Sequence, residues 1–418
     1  MNQLPKNWSE LLLLTFISLF IFGCGPWKKH AAYPFPEPVD TTTKPIEQQV
    51  KKTYNFSREG ITVTNEFEGA RVNDCKIDSE GNVVITITAE NTPINNSAYF
   101  GFKIWAEKET TVNVILDYPE YNHRYIPKLS KDRINWTALT ADQYVVNEDR
   151  SNCSFSLNID AKPLFVCAQE LNTSSDIAEW SAKRAEKPFV ELGSFGKSKL
   201  GRNLPVLDIY EGEKKGKDCI IIISRQHPPE LTGYFAMQAF VDILLDDSRL
   251  SKSYREKYRT IVMPIMNPDG VDLGHWRHSA GGIDLNRDWS FYHQPEIKQA
   301  TEYLVEQTNK FKNDVLIGLD FHSTQKDVYY TLSEDLDHDL KGFKDYWIDG
   351  IARAFEGEYT PRDAPSSLTR PISKGWFFLQ FNAEGITYEV GDETPRDFIK
   401  AKGEVAAKEM MKLIVFRD

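Results

Sequence analysis

His227 and Glu230 stand three residues apart where the sequence changes character. Before them runs Ile220-Ile221-Ile222-Ile223, an apolar β-branched stretch that predicts a strand buried on both faces. After them Leu231, Phe235, Ala239, Ile243 and Leu244 recur at helical spacing. Imidazole and carboxylate both bind Zn2+ well, and two histidines with one glutamate leave a fourth position open for water and substrate. The carboxyl ends of strands are where open α/β sheets form ligand sites. The pair alone is common, since a surface His and a Glu at a helix start need no metal. A third ligand has to come from elsewhere in the chain.

The elements that must position such a site alternate. Strands are predicted over residues 220–223, 260–266, 316–321 and 386–390. Helices are predicted over 231–245, 294–310, 340–355 and 396–416. A helix over 175–185 and a hairpin over 191–209, with Gly201 in its turn, precede them. This order predicts an α/β fold, a mixed sheet covered by helices. Residues 54–168 read differently: strands over 83–88, 99–105 and 111–116, with a turn at 80–82, predict a β-sandwich. Cys153 and Cys167 flank two apolar runs around Asp160. A hairpin there would set them opposite one another, as a disulfide or as two buried thiols.

The chain has 418 residues and a formal charge of −11, from 50 basic and 61 acidic residues. That balance argues against a nucleic-acid surface, which would be basic. Lys6 precedes the apolar run 11–22, which is short for a membrane span. The run ends Ile21-Phe22-Gly23-Cys24, which resembles the lipobox of bacterial lipoproteins. It implies a signal peptide over 1–24, lipidation at Cys24, and a periplasmic or surface-exposed place on the cell envelope. A plain signal peptide or a short anchor is the other reading. Residues 25–50 lack periodicity and predict a linker. A β-sandwich domain over 51–170 and a catalytic domain over 171–418 follow.

Four further stretches fall at strand ends or on the loops after them: Asn267-Pro268-Asp269-Gly270, Arg277 ahead of Gly282-Ile283-Asp284-Leu285-Asn286-Arg287-Asp288-Trp289, Asp320-Phe321-His322-Ser323, and Thr387-Tyr388-Glu389-Val390-Gly391. With Leu200-Gly201-Arg202 and the His227/Glu230 pair, this ordered set resembles the zinc carboxypeptidase family over about 177–416. The β-rich segment is similar to the amino-terminal domain of the cytosolic carboxypeptidase branch.

The resemblance implies one Zn2+ per chain, held by His227, Glu230 and His322. It makes Glu389 the general base, which moves a proton from water to the leaving amine. Arg277 becomes the stabiliser of the oxyanion. Asn286 and Arg287 become the grip on the substrate's terminal carboxylate, a task suited to arginine's two parallel N–H donors. Glu384 and Glu393 fit the motif less well than Glu389. His275, His278, His293 and His338 match no motif and are expected at the surface or around the site rather than on the metal.

The chain departs from the family where a mobile tyrosine precedes the catalytic glutamate. Ser366 and Ser367 occupy that region, and Tyr359 is the nearest tyrosine upstream. Counting back to the specificity determinant lands on Lys374, and Thr387 matches a second pocket position. A lysine there favours acidic C-terminal residues by charge pairing. The expected partner is a peptide with a free C-terminal carboxylate, with peptidoglycan stems and γ-glutamyl tails as relatives of it. A cell-wall amidase on the same zinc site and a non-catalytic peptide- or glycan-binding lipoprotein are the alternatives. A serine hydrolase has no G-x-S-x-G to support it.

Overall fold

The isoleucine run forms the middle of a seven-stranded sheet in the computed structural model, which describes residues 29–417. The strand order is Val190–Lys197, Asn203–Ile209, Tyr258–Met263, Asp218–Ser224, Val315–Thr324, Glu384–Gly391, Val328–Tyr330. The four strands from Tyr258–Met263 to Glu384–Gly391 are mutually parallel, and the edges are antiparallel. Successive isoleucines face opposite layers, because side chains alternate along a strand. Ile220 and Ile222 pack under the helices Leu231–Leu244, Phe343–Ala354 and Arg396–Val415. Ile221 and Ile223 pack under Pro295–Phe311 and Ser373–Phe381. Burial on both faces is why this strand is apolar without interruption.

The amino-terminal region is a sandwich of two sheets. One runs in the order Thr53–Phe56, Ile61–Thr64, Gly101–Ala106, Leu164–Cys167, Lys128–Ser130, Thr137–Ala138. The other runs Asp74–Ile77, Val83–Thr86, Thr110–Asp117, Asn152–Ile159, Tyr144–Val146. Their inner faces share one core, including Val63, Phe102 and Val166 from the first and Ile85, Leu116 and Leu157 from the second. Trp276 enters that core from the α/β region, and its indole donates to the Tyr99 carbonyl at 2.9 Å.

Two expectations are corrected. Asn152–Ile159 and Leu164–Cys167 do not pair as a hairpin: they cross from one sheet to the other, so Cys153 and Cys167 are separate buried thiols. An apolar alternation with a polar break is the same for a hairpin and for a corner between sheets. The described part of the expected linker, residues 29–50, is an ordered strap along the α/β region. Tyr33 donates to Gln380 at 3.0 Å, Gln294 donates to the Thr41 carbonyl at 2.8 Å, and Lys44 N–H bonds the Gly281 carbonyl at 2.8 Å. Such a strap is held by polar contacts to other segments, so it carries no periodicity of its own. Cys24 lies outside the described residues. Among the described residues, no helix is long and apolar enough to cross a membrane.

Candidate active site

Each expected metal ligand sits where a parallel strand ends. After Asp218–Ser224 the chain turns at Arg225, which takes a left-handed φ of 56°, and this brings His227 to the sheet's carboxyl edge. Glu230 is the last residue before the Leu231–Leu244 helix. His322 projects from the neighbouring strand Val315–Thr324. The helix approaches that strand at Gly233, where a Cβ would stand 2.2 Å from the His322 carbonyl oxygen.

The three side chains are buried and offer one ligand atom each within 4.8 Å of one another. Glu230 Oε1 lies 2.7 Å from His227 Nδ1, and Oε2 lies 2.6 Å from His322 Nδ1. Both imidazoles therefore turn Nδ1 inward. Their Nε2 atoms back onto carboxylates, His227 on Asp284 at 2.8 Å and His322 on Asp320 at 2.8 Å. A carboxylate behind a ligating imidazole fixes its tautomer and raises its basicity. Two imidazoles and a carboxylate converging with an open side toward a cleft fit Zn2+.

The electrostatics agree with a cation at this point. Burial works against the Glu230 carboxylate, but His227 and His322 beside it hold it well below the usual range. Burial likewise opposes ionisation of Asp284, and Arg277 and His227 hold it well below. Burial lowers His322 while Asp320 and Glu230 raise it, and the carboxylates win.

Glu389 comes from Glu384–Gly391, in register with His322 across the parallel pair. Its Oε2 is buried without a hydrogen-bond partner. Burial, with Glu230 and Asp320 adding negative charge nearby, pushes its carboxyl up to about 8 although His322 pulls it down. Arg277 is held by its Nε–H to Asp284 at 2.8 Å. Asn286 accepts the Ser373 N–H at 3.0 Å, and Arg287 donates to the Asn286 carbonyl at 2.7 Å. Asp284 stands 3.8 Å from Arg287, so its closer partners are Arg277 and His227.

Glu389, Arg277, Asn286 and Arg287 line one cleft of about 500 Å3 with the three expected ligands, Lys374 and Thr387. Lys374 is buried in its wall and donates to the Thr331 carbonyl at 2.5 Å and to Ser366 at 2.6 Å. Burial lowers its ammonium to about 8. Glu384 and Glu393 are elsewhere: the first is buried 3.3 Å from His338, and the second pairs with Lys128 of the sandwich at 3.1 Å. Tyr388 stacks on Phe321 in the core, and the tyrosine that lines the cleft is Tyr330, on the edge strand. Among the unassigned histidines, His275 and His278 are buried rather than superficial.

The other motifs brace the site. Asp269 of N-P-D-G accepts from Ser198, the Leu200 N–H and Arg202, locking the hairpin turn to the helix Pro268–Leu273. Gln226 donates to Asp320 at 2.6 Å and accepts from Trp289 at 2.9 Å. Asp320 was legible in sequence, because two residues before His322 on a strand is the same face. Asp284 was legible only as part of its motif. Asn95, Ser97 and Arg124 reach the cleft from the sandwich and had no local signal. Asp320→Asn is expected to weaken zinc binding by about 10- to 100-fold, read by competition with a chromophoric chelator. Unchanged affinity would show that the backing carboxylate does not tune His322.

Residues 177–335 match the family model described as Zinc carboxypeptidase. The matched stretch is similar to the zinc carboxypeptidases, a class of zinc hydrolases, and it carries His227, Glu230, Arg277, Asn286, Arg287 and His322. Within that class the chain is similar to cytosolic carboxypeptidase 6 of Mus musculus, at 32% identity over 135 residues, 31% of this chain and 25% of that one. The chain thus spans about a quarter of that relative's length. It is 24% identical over 277 residues to an uncharacterized protein of Zymomonas mobilis, covering 63% of this chain and 68% of the other. Its fold is that of the metallo-carboxypeptidase of Burkholderia cenocepacia, with a TM-score of 0.69 at 16% identity over 84% of this chain and 98% of that one. The metallo-carboxypeptidase of Pseudomonas aeruginosa gives 0.66 at 17% identity over the same shares.

Proposed function

We propose that this protein is a zinc-dependent carboxypeptidase that removes C-terminal residues from peptides. The observation that carries the reading is the convergence, in one cleft, of the His227/Glu230/His322 set, the unpartnered oxygen of Glu389 and the guanidinium groups of Arg277 and Arg287. Zinc bound to the triad would activate water and polarise the scissile carbonyl. Glu389 takes the proton and returns it to the leaving amine. Arg277, already oriented by Asp284, faces the oxygen on which charge develops. Asn286 and Arg287 hold the terminal carboxylate and so register the last peptide bond. Hydrolysis of a C-terminal peptide library, followed by mass spectrometry with and without chelator, tests this. Intact peptides alongside stoichiometric zinc would redirect the reading to a cell-wall amide.

Arg287 and Lys374 bring positive charge to the cleft of a protein whose net charge is −11, whereas Arg124 and Arg370 there are paired with Asp392 at 2.9 Å and Glu37 at 2.7 Å. This cationic lining supports substrates with acidic C-terminal residues. An ammonium carries three donors, and Lys374 spends two on the pocket wall, leaving one for a substrate carboxylate. Lys374→Ala is expected to reduce the preference for Asp or Glu over neutral C-termini by about tenfold, from the loss of one charged hydrogen bond. An unchanged preference would remove Lys374 from the specificity pocket.

We take residues 51–170 and 171–418 as the sandwich and catalytic domains. The Ile21–Cys24 run supports a lipid anchor on the cell envelope. Labelled palmitate should be incorporated by the wild type and not by Cys24→Ser, and equal labelling would exclude Cys24.

A further inference from the structure

We infer that Glu90, in the sandwich, is a positioning residue for Arg277, so that the amino-terminal region completes the active site. Its bearing on turnover rests on the carboxypeptidase reading above.

Glu90 follows the Val83–Thr86 strand and is fully buried. Its Oε2 accepts the Trp276 N–H at 2.8 Å. Its Oε1 accepts the N–H groups of Arg277 at 3.0 Å and His278 at 2.7 Å. Three successive backbone donors converge on one carboxylate, the arrangement by which backbone nests hold anions. The neighbouring contacts act in the same direction. Trp276 is sunk in the sandwich core, with Tyr121 edge-on at 4.8 Å. Asn91 donates to the Gly282 carbonyl at 2.9 Å and meets His278 with its own oxygen.

On its other side the same loop carries the chemistry. Arg277 Nε–H bonds Asp284, and Asp284 backs His227. The path from Glu90 to the oxyanion stabiliser therefore runs through one backbone residue. The loop continues through Ala280-Gly281-Gly282, which offers no side-chain packing beyond a methyl group, so its placement depends on such anchors. A carboxylate is required by the donor count. Glutamine has one acceptor oxygen, so its NH2 would face at least one backbone N–H and leave that donor buried and unpaired.

The test uses the full zinc-loaded protein. Glu90→Gln should keep stoichiometric zinc and lose about 10- to 100-fold in kcat with a smaller change in KM, the scale of a small misplacement of a catalytic group. Backbone amides of 276–278 should exchange hydrogen faster than in the wild type. In an Arg277→Ala background, Glu90→Gln should cost no more than about twofold further, because residues that act as a unit are not additive. Should Glu90→Gln not fold, Glu90→Asp, which keeps the charge on a shorter arm, takes its place in every arm. Full kcat with unchanged exchange overturns the inference, as does a loss that multiplies in full with that of Arg277→Ala. A wild type that hydrolyses nothing overturns the carboxypeptidase reading alone. The clamp is then judged by exchange, with faster exchange in the variant supporting it and equal exchange overturning it.

Discussion

Glu389→Gln is expected to lower kcat on a C-terminal peptide by roughly 10²- to 10⁴-fold, the usual weight of a positioned general base, while zinc content stays at wild-type level. The substitution keeps the shape of the side chain and one acceptor oxygen but removes the capacity to take a proton. Nothing in the fold is asked to change, because Glu389 Oε2 makes no hydrogen bond that the amide would break. Burial holds this carboxyl up to about 8 in the absence of a cation, and a divalent ion on the adjacent triad favours the carboxylate. KM should move little, since the proposed carboxylate grip lies with Asn286 and Arg287. Single-turnover rates on a labelled peptide check this. A variant with wild-type kcat would strip Glu389 of the proton-transfer role.

His322→Ala is expected to abolish stoichiometric zinc and, with it, turnover. The remaining His227 and Glu230 make two ligands where a catalytic zinc site uses three. The loss extends beyond the metal. Glu230 and Asp320 each lose one of their hydrogen-bond partners inside the protein, and a buried carboxylate with fewer partners destabilises the fold. Chelation of the wild type separates the two effects, because it removes the ion and leaves His322 in place. Chelated protein should melt several degrees lower than the zinc-loaded form, since a ligand that binds only the native state stabilises it. Zinc content by elemental analysis and Tm by calorimetry provide the check. Equal Tm and equal activity with and without chelator would remove the metal from this triad.

Much of the catalytic sheet was legible because each buried strand and amphipathic helix satisfies its own period. The helix Ser373–Phe381 escaped notice for the opposite reason. Its Gly375-Trp376-Phe377-Phe378-Leu379 run is nearly apolar all round and has no period to read, although Ser373 and Lys374 at its start join Asn286 and the cleft wall. The missing tyrosine shows the limit of counting. Tyr330 reaches the cleft on an edge strand, while Tyr388, one residue before Glu389, points into the core.

The sequence by itself picked out the groups that meet in the cleft, because His227, Glu230, His322 and Glu389 lie at or just after strand ends and a short motif travels with each, as one does with Arg277 and Arg287 on their loop. Tertiary structure alone decided which residues hold those groups still. Asp284 reaches back 57 positions to His227, and Glu90 reaches forward 187 to Arg277. Cys153 and Cys167, near in sequence, went to different sheets. The physical reason is the same in each case. Periodicity reports whether a side chain faces the interior, whereas the partner it meets there depends on how separate layers pack, and no local pattern encodes that.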